Sequence, residues 1–211
     1  MNRKSTKEHI LDNAEKLFAR NGYHSTSMRM LTRKAGVNLG AVNYHFGSKK
    51  DLIRSVIERR LIVLNKKREE LLDQVLAKAN QSNSRPCPRE VLKSFIAPTL
   101  EFRDRFPQAA EFPKLISRAL TEPDDMVRNM FIEIMTPLFH KLFESLCLAL
   151  PVLSRTQVYW RLHFCLGSMS HVMNVAERIR IIPEGVEMPA SQSQLVEPLL
   201  NFITAGMERN P

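Results

Sequence analysis

Apolar residues recur at helical spacing through the first third of the 211-residue chain. The first such segment predicts a helix over about residues 5–20 with one apolar face. Asn21-Gly22 should end this helix, because both residues tolerate the positive φ that often follows a helix C-terminus. The apolar face comprises Ile10, Leu11, Ala14, Leu17 and Phe18.

Two short helices and one long helix are predicted to follow. Thr26 can cap the second helix, which should end at Gly36, and the third should run from Leu39 to His45. A long amphipathic fourth helix begins at Ser48 and gives way to a polar loop over residues 81–88. We therefore expect a small three-helix module from which a long helix leads into the rest of the chain.

The remaining residues show apolar helical periodicity that prolines interrupt, and they carry no strand pattern. Helices are predicted over residues 88–104, 108–120, 124–149, 154–180 and 192–208. The predicted fold class is therefore all-α with about nine helices, in which the three-helix module is joined by the long helix to a helical bundle. The last two helices carry more apolar surface than one bundle should need, so we expect them to pair with a second copy of the chain.

Positive charge is concentrated in the first part of the chain. Residues 1–64 contain 13 Lys and Arg against 5 Asp and Glu, whereas residues 65–211 contain 18 against 17. A unit this basic suits a polyanion, because each phosphate that a cationic side chain neutralises releases condensed counterions. Charge alone leaves open nucleic acid, an anionic membrane surface, and a solvated basic face without a partner.

Residues 27–46 have the plan of a helix-turn-helix, in which a tight glycine turn separates two short helices. Lys49, at the start of the next helix, can hold a phosphate. The second short helix offers a DNA groove small residues for close approach and hydrogen-bonding side chains for base edges or phosphates: Gly40, Ala41, Asn43, Tyr44 and His45.

The segment from about residue 5 to residue 64 resembles the DNA-binding domain of TetR-type regulators. The matching residues are Gly22-Tyr23, Thr26, Ala35-Gly36-Val37, the run Tyr44-His45-Phe46-Gly47-Ser48-Lys49, and Leu52. This resemblance implies a DNA-binding domain over residues 4–64 and a ligand-binding and dimerisation domain over residues 65–211. It also implies a homodimeric repressor that binds a palindromic operator in double-stranded DNA and is released by a small molecule.

The same resemblance implies roles for individual residues. The helix Leu39 to His45 would be the recognition helix, and Arg29 on the preceding helix would reach a base. Asn43 departs from the many members that carry an aromatic residue at this position, and its carboxamide can pair with adenine. Phosphates would be held by Thr26, Ser27, Tyr44 and Lys49. The full set of predicted DNA contacts is Thr26, Ser27, Arg29, Leu39, Gly40, Ala41, Asn43, Tyr44, His45 and Lys49.

Two runs, residues 37–50 and 160–167, are similar to the PsrA-like, fatty-acid-responsive branch of this family. The similarity implies an elongated apolar effector such as a fatty acid or an acyl-CoA. Aromatic and thioether side chains at helical spacing can line an adaptable apolar pocket, and each of them also suits an ordinary helical core. The candidate ligand-binding residues are Phe95, Phe102, Phe112, Phe131, Met135, Phe139, Arg161, His163, Phe164 and Met169.

Other classes of function have less support in the sequence. No phosphate-binding glycine loop, nucleophile elbow or zinc-protease motif occurs, so we expect neither an enzyme nor a cofactor, and the histidines lack the spacing of a metal site. Three cysteines without metal-ligand spacing indicate a cytoplasmic setting, and no apolar run predicts a membrane span. The alternative is a basic helical module that binds lipid or a membrane surface without DNA specificity. The Ala35-Gly36-Val37 turn argues against it, because a membrane-surface helix needs no such break.

Overall fold

The computed structural model describes residues 5–121, 125–174 and 182–209, and these residues form an all-α chain, which confirms the predicted fold class. Short 3-10 turns lie at Pro107–Ala109 and Gln192–Leu195. The start of the predicted helix 124–149 and the end of the predicted helix 154–180 fall partly outside the described residues. The described α-helices are α1 (Thr6–Ser25), α2 (Met28–Ala35), α3 (Leu39–Phe46), α4 (Lys49–Gln81), α5 (Pro88–Arg105), α6 (Phe112–Thr121), α7 (Asp125–Ala149), α8 (Arg155–Asn174) and α9 (Val196–Glu208).

Two predicted helix starts are several residues too early. The α6 helix begins at Phe112 rather than at residue 108, and α9 begins at Val196 rather than at residue 192. In both places the chain first forms a 3-10 turn. Since apolar residues three apart share a face in both helix types, periodicity alone does not separate a 3-10 turn from the first turn of an α-helix.

Contacts within the chain divide it into two compact units. The first unit comprises the residues up to Val63 together with residues 108–134, and the second comprises residues 64–107 and 135–211. The helices α4 and α7 contribute residues to both units. The first unit thus includes α6, whereas the division of the chain into two domains after residue 64 stays a prediction.

In the first unit, a break in α1 fixes the start of α2. Gly22 has a φ of 79°, and its carbonyl accepts a 2.8 Å hydrogen bond from the hydroxyl of Thr26. The prediction that Thr26 caps α2 is wrong, because its side chain turns inward to this carbonyl and is only 1% exposed. Ser27 is the N-cap instead, and its Oγ accepts a 3.1 Å hydrogen bond from the amide of Met30.

The turn from α2 to α3 uses local backbone chemistry on both sides. Gly36 ends α2 with a φ of 62°, a left-handed conformation that glycine adopts without steric cost. Asn38 caps α3, and its Oδ1 accepts a 2.7 Å hydrogen bond from the amide of Ala41. Val42 and Phe46 are buried, so α3 packs by one face and leaves the rest of its surface to solvent.

A cluster of charged side chains joins α1 to the first half of α4. The carboxylate of Glu15 is buried and accepts hydrogen bonds from Arg59 at 2.7 Å and from Arg60 at 2.9 Å. Asp12 adds a second carboxylate 2.9 Å from Arg59. These buried charges of opposite sign compensate one another and hold the two helices in register.

The second unit has a continuous apolar core built from five helices. The core is supplied by α4, α5, α7, α8 and α9, and it excludes water from the centre of the unit. Its fully buried members include Leu72, Leu92, Ile96, Leu100, Leu142, Leu146, Leu162 and Leu200.

Candidate nucleic-acid interface and effector core

The solvent-facing side of α3 presents hydrogen-bonding groups that have no partner within the part of the chain that the structure describes. Gly40, Asn43 and Tyr44 are exposed, and the Tyr44 side chain is 87% exposed. The Asn43 carboxamide is a donor and acceptor pair, and the Tyr44 hydroxyl can donate or accept. Leu39 is half exposed beside them, whereas Ala41 and His45 are partly buried. This surface suits the edge of a base and a phosphate.

Gly40 has a local structural reason to be glycine. A Cβ atom at this position would lie 3.3 Å from Oδ1 of Asn38, the oxygen that caps α3. An alanine would therefore crowd the cap that starts the helix. A glycine here also lets the helix backbone approach a groove more closely than any other residue would.

The residues at the start of α2 divide into one buried and two exposed side chains. Ser27 and Arg29 are exposed. Thr26 donates its hydroxyl hydrogen within the unit, and its backbone amide donates to the carbonyl of Tyr23 at 3.3 Å. Both donors of Thr26 are therefore used internally, and its predicted phosphate contact is corrected to a structural role at the end of α1.

Lys49 opens α4 and is held against the end of α1. Its ammonium donates a 3.3 Å hydrogen bond to the carbonyl of His24 and lies 4.3 Å from the centre of the Tyr23 ring. Partial burial lowers the pKa of Lys49 from its ordinary value. An ammonium has three hydrogens to donate, so these contacts position the group and still leave it able to donate to a phosphate.

Positive charge in the first unit is neutralised on one set of residues and free on another. Arg54, Arg59 and Arg60 all have carboxylate partners within 4 Å. Several exposed cations have no ion pair within residues 5–121, 125–174 and 182–209. Lys7 and Lys16 are on α1, and four others flank α3 in sequence: Arg29, Arg33, Lys34 and Lys50. Unneutralised positive charge is therefore present on α2 and at the start of α4, next to α3 in sequence, as a phosphate-binding surface requires.

The candidate ligand-binding residues do not form one group. Phe112 and Phe131 belong to the first unit, and the other candidates belong to the second. Within the second unit, Phe95, Phe102 and Met169 are buried. Met135 and Phe139 are partly buried and pack against the core. Aromatic and thioether side chains thus line much of the interior of this unit.

Three further candidates are on α8, where two of them bond to backbone carbonyls and the third is exposed. Arg161 donates to the carbonyls of Met207 and Arg209 at 2.8 and 2.6 Å, and so it caps the end of α9. His163 donates to the carbonyl of Tyr159 at 2.9 Å. Phe164 is 68% exposed, so its prediction as an interior ligand contact is corrected, because this face of α8 points to solvent.

A groove of about 630 Å³ lies in the second unit and is lined by α4, α5 and the loop between them. None of the candidate ligand-binding residues lines it. Its wall carries several cations, among them Lys67, Lys78 and Arg85. Sequence reasoning missed this groove, because its lining mixes apolar residues such as Leu71 and Val75 with charged ones and forms no continuous apolar stripe.

Arg68 is a second feature that sequence reasoning missed. It lies on the buried face of α4, between Leu64 and Leu72, and only 4% of its surface is exposed. Burial of the guanidinium lowers the pKa of Arg68 to about 9. A charged residue in the middle of an apolar helical stripe was the available signal.

The described residues offer neither a membrane-spanning helix nor a group of metal ligands. No helix among them combines the length and the apolar character needed to cross a bilayer. No three of their His, Cys, Asp and Glu side chains are grouped so that they could hold a metal ion.

Comparisons with known proteins address the family directly. Residues 10–56 match the model for bacterial regulatory proteins of the tetR family, and residues 93–206 match the model for the tetracyclin repressor-like C-terminal domain. The chain is 43% identical over 53 residues to the transcriptional regulator AcrR of Shigella flexneri, which covers 25% of each protein. The chain aligns with between 25% and 54% of the length of the curated relatives.

Solved structures with the same fold cover nearly the whole chain. PfmR of Thermus thermophilus, a TetR-family regulator, superimposes with a TM-score of 0.68 at 19% identity, over 99% of this chain and 98% of that one. FadR of Bacillus subtilis, solved in complex with stearoyl-CoA, gives a TM-score of 0.67 at 16% identity, over 94% and 97%. The two family matches together account for most of the sequence, and the chain belongs to the TetR family of transcriptional regulators rather than to a class of enzymes.

Proposed function

We propose that this TetR-family regulator is a homodimeric repressor that binds a palindromic operator and is released from it by an apolar acyl effector, a fatty acid or an acyl-CoA. The observation that carries the DNA-binding part is the α3 surface, where Asn43 and Tyr44 have unused hydrogen-bonding groups beside unneutralised cations. The proposed place of action is the cytoplasm, where the operator would be reached.

A palindromic operator follows from the size of α3. A helix of eight residues reads only a few base pairs, so one copy gives little specificity. Two copies related by a twofold axis read two half-sites, with centres about 34–36 Å apart. We therefore expect most of the sequence specificity to depend on dimerisation.

The proposed dimer interface lies on α8 and α9. Trp160 and Phe164 have stacked rings 6.5 Å apart, and they are 54% and 68% exposed, while Phe202 on α9 is 72% exposed. Large aromatic side chains are costly to leave in water and are enriched at the centres of protein interfaces. This surface supports the pairing of α8 and α9 with a second copy of the chain.

The proposed effector is supported by the character of the second unit. Phe95, Phe102, Met135, Phe139 and Met169 supply an interior of aromatic and flexible thioether groups that can repack around an acyl chain. The likeness to FadR, which was solved with stearoyl-CoA, concerns the fold and agrees with this choice. Since α4 contributes residues to both units, we propose that effector binding acts on the DNA-reading helices through it.

The test combines selection and titration. Purified protein is used to select sequences from a random DNA pool, and the selected operator is then titrated with acids of increasing length and with their acyl-CoA thioesters while fluorescence anisotropy is recorded. We expect the selected sequence to be a palindrome. We also expect longer acyl chains to release the protein from it at lower concentrations, because each additional methylene group adds apolar contact. If no palindrome is selected, the proposed operator is wrong. If a palindrome is selected but no acyl compound releases the protein from it, only the proposed effector is wrong.

A further inference from the structure

The interior of the second unit holds a guanidinium that has no carboxylate partner within the described residues. Arg68 donates to the side-chain oxygen of Asn65 at 2.8 Å and to the hydroxyl of Thr99 at 2.6 Å. Its remaining neighbours are the sulfur of Met135, at 3.8 Å, and the ring of Phe95, whose centre lies 4.1 Å from Cζ. Its Nε atom has no hydrogen-bond partner. These four neighbours are all neutral.

Such a charge is costly to the fold. Removing a cation from water without an opposite charge is unfavourable, and neutral hydrogen bonds and a ring face offset only part of the cost. The first unit shows how the same chain satisfies buried arginines, since Arg59 and Arg60 share the buried carboxylate of Glu15. Arg68 has no equivalent of Glu15.

Two nitrogens of Arg68 lack a full complement of strong acceptors. Nε is without a partner, and the Nη1 atom has the thioether of Met135 as its second acceptor, which is a weak one. Met135 is unbranched and only partly buried, so it can move aside at low cost. A carboxylate oxygen at Nη1 would form a charge-assisted hydrogen bond, which is shorter and stronger than a bond to a neutral acceptor.

We infer that Arg68 anchors the carboxylate of the effector, and that the effector is therefore a free apolar acid rather than a thioester. This inference rests on the proposed acyl effector and narrows it. The acid group would take the place of the Met135 sulfur beside Arg68, and the chain would extend among the aromatic and thioether groups that include Phe95. A thioester carries no charge at this position and would leave Arg68 as it is.

The test compares a fatty acid with its own methyl ester. Hexadecanoate and methyl hexadecanoate are titrated into wild-type protein by calorimetry, and we expect the acid to bind about tenfold more tightly or better, as a charge-assisted hydrogen bond requires. In Arg68→Met the acid should bind no better than the ester, and the ester should bind as in wild type. Lys67→Met is the matched control, because it removes a neighbouring cation whose side chain is 45% exposed, and it should keep the wild-type preference.

Each outcome decides the inference. Equal binding of acid and ester to the wild-type protein would overturn the role of Arg68 and leave the acyl effector in place. Tighter binding of hexadecanoyl-CoA than of the acid, unchanged in Arg68→Met, would also overturn it. If the chain binds no acyl compound at all, the proposed effector fails and the inference fails with it. The wild-type comparison needs no variant, so the test stands even if Arg68→Met does not fold.

Discussion

The carboxylate of Glu15 lies 2.7 Å from Arg59 and 2.9 Å from Arg60, so one buried acid serves two arginines of another helix. Asp12 is a partner for both arginines as well, at 2.9 and 3.8 Å. This cluster joins α1 to α4. Its charges compensate one another, and the loss of any one member leaves the others uncompensated in a nearly dry site.

Glu15→Gln should therefore destabilise the protein by about 2 kcal/mol, less than for a fully buried pair because Asp12 remains. Urea unfolding followed by circular dichroism measures the change. Glu58→Gln is the control, because the ion pair of Glu58 with Arg54 is partly exposed and should contribute less than about 1 kcal/mol. Equal changes in the free energy of unfolding for the two substitutions would show that the buried cluster stabilises the protein no more than an exposed ion pair does.

Lys49→Ala should weaken binding to every DNA sequence and reduce the slope of log K against log salt by about 0.9, as loss of one phosphate contact does. Anisotropy titrations at several salt concentrations measure the slope. Thr26→Val is the matched control within the same module, because its buried hydroxyl donates to Gly22 and not to DNA. It should reduce stability and leave the slope unchanged. An unchanged slope for Lys49→Ala would count against its phosphate contact.

Asn43→Ala should relax the preference for one base in each half-site, at a cost of about 1–3 kcal/mol against the preferred base. The reason is that Asn43 is exposed on α3 and its carboxamide has no hydrogen-bond partner within the described residues. Selection from random DNA with both proteins measures the preference. Lys50→Ala should instead lower affinity evenly across sequences. Identical selected sequences for wild type and Asn43→Ala would contradict base reading by this residue.

Phe164→Glu should convert the dimer to a monomer, because it places a charge in the centre of an exposed aromatic surface that is proposed to be buried on pairing. Sedimentation velocity at micromolar concentration measures the change. Val152→Glu is the control, since Val152 is equally exposed but lies in the turn before α8. A Phe164→Glu protein that remains dimeric would move the interface away from α8.

The sequence predicted the helices well and individual side-chain directions less well. Periodicity identifies an apolar face, so the buried sides of α1 and α3 followed from residues such as Phe18 and Val42. It does not decide between neighbours of similar chemistry. Thr26 and Ser27 can each cap a helix, and the choice depends on the carbonyl that Gly22 turns toward Thr26, which is set by the fold.

The candidate effector site shows the same limit. Phe164 and Phe95 look alike in the sequence, yet one is exposed on α8 and the other is buried beside Arg68, because apolar residues serve interfaces and cores equally. Arg68 was overlooked for the opposite reason. A single arginine in a long amphipathic helix is usually solvated, and only the packing of α5 and α7 against α4 encloses it.

The buried guanidinium of Arg68 should also affect the stability of the effector-free protein. Arg68→Met should be as stable as the wild-type protein or more stable at neutral pH, by up to about 3 kcal/mol, because an apolar side chain of similar length replaces an uncompensated buried charge. The pKa of Arg68 in the folded protein is lowered to about 9, whereas an unfolded arginine keeps its proton to much higher pH. Above pH 9 the unfolded wild-type chain therefore binds more protons than the folded one, and wild-type stability rises with pH relative to the variant.

The stability difference in favour of Arg68→Met should therefore be complete below pH 9 and should become smaller above it. Urea unfolding of both proteins at neutral pH and near pH 10 measures this, with Lys67→Met as the control that should show no such narrowing. A variant less stable than wild type at neutral pH would mean that Arg68 holds the fold together, and it would count against a charge kept in the core for a ligand.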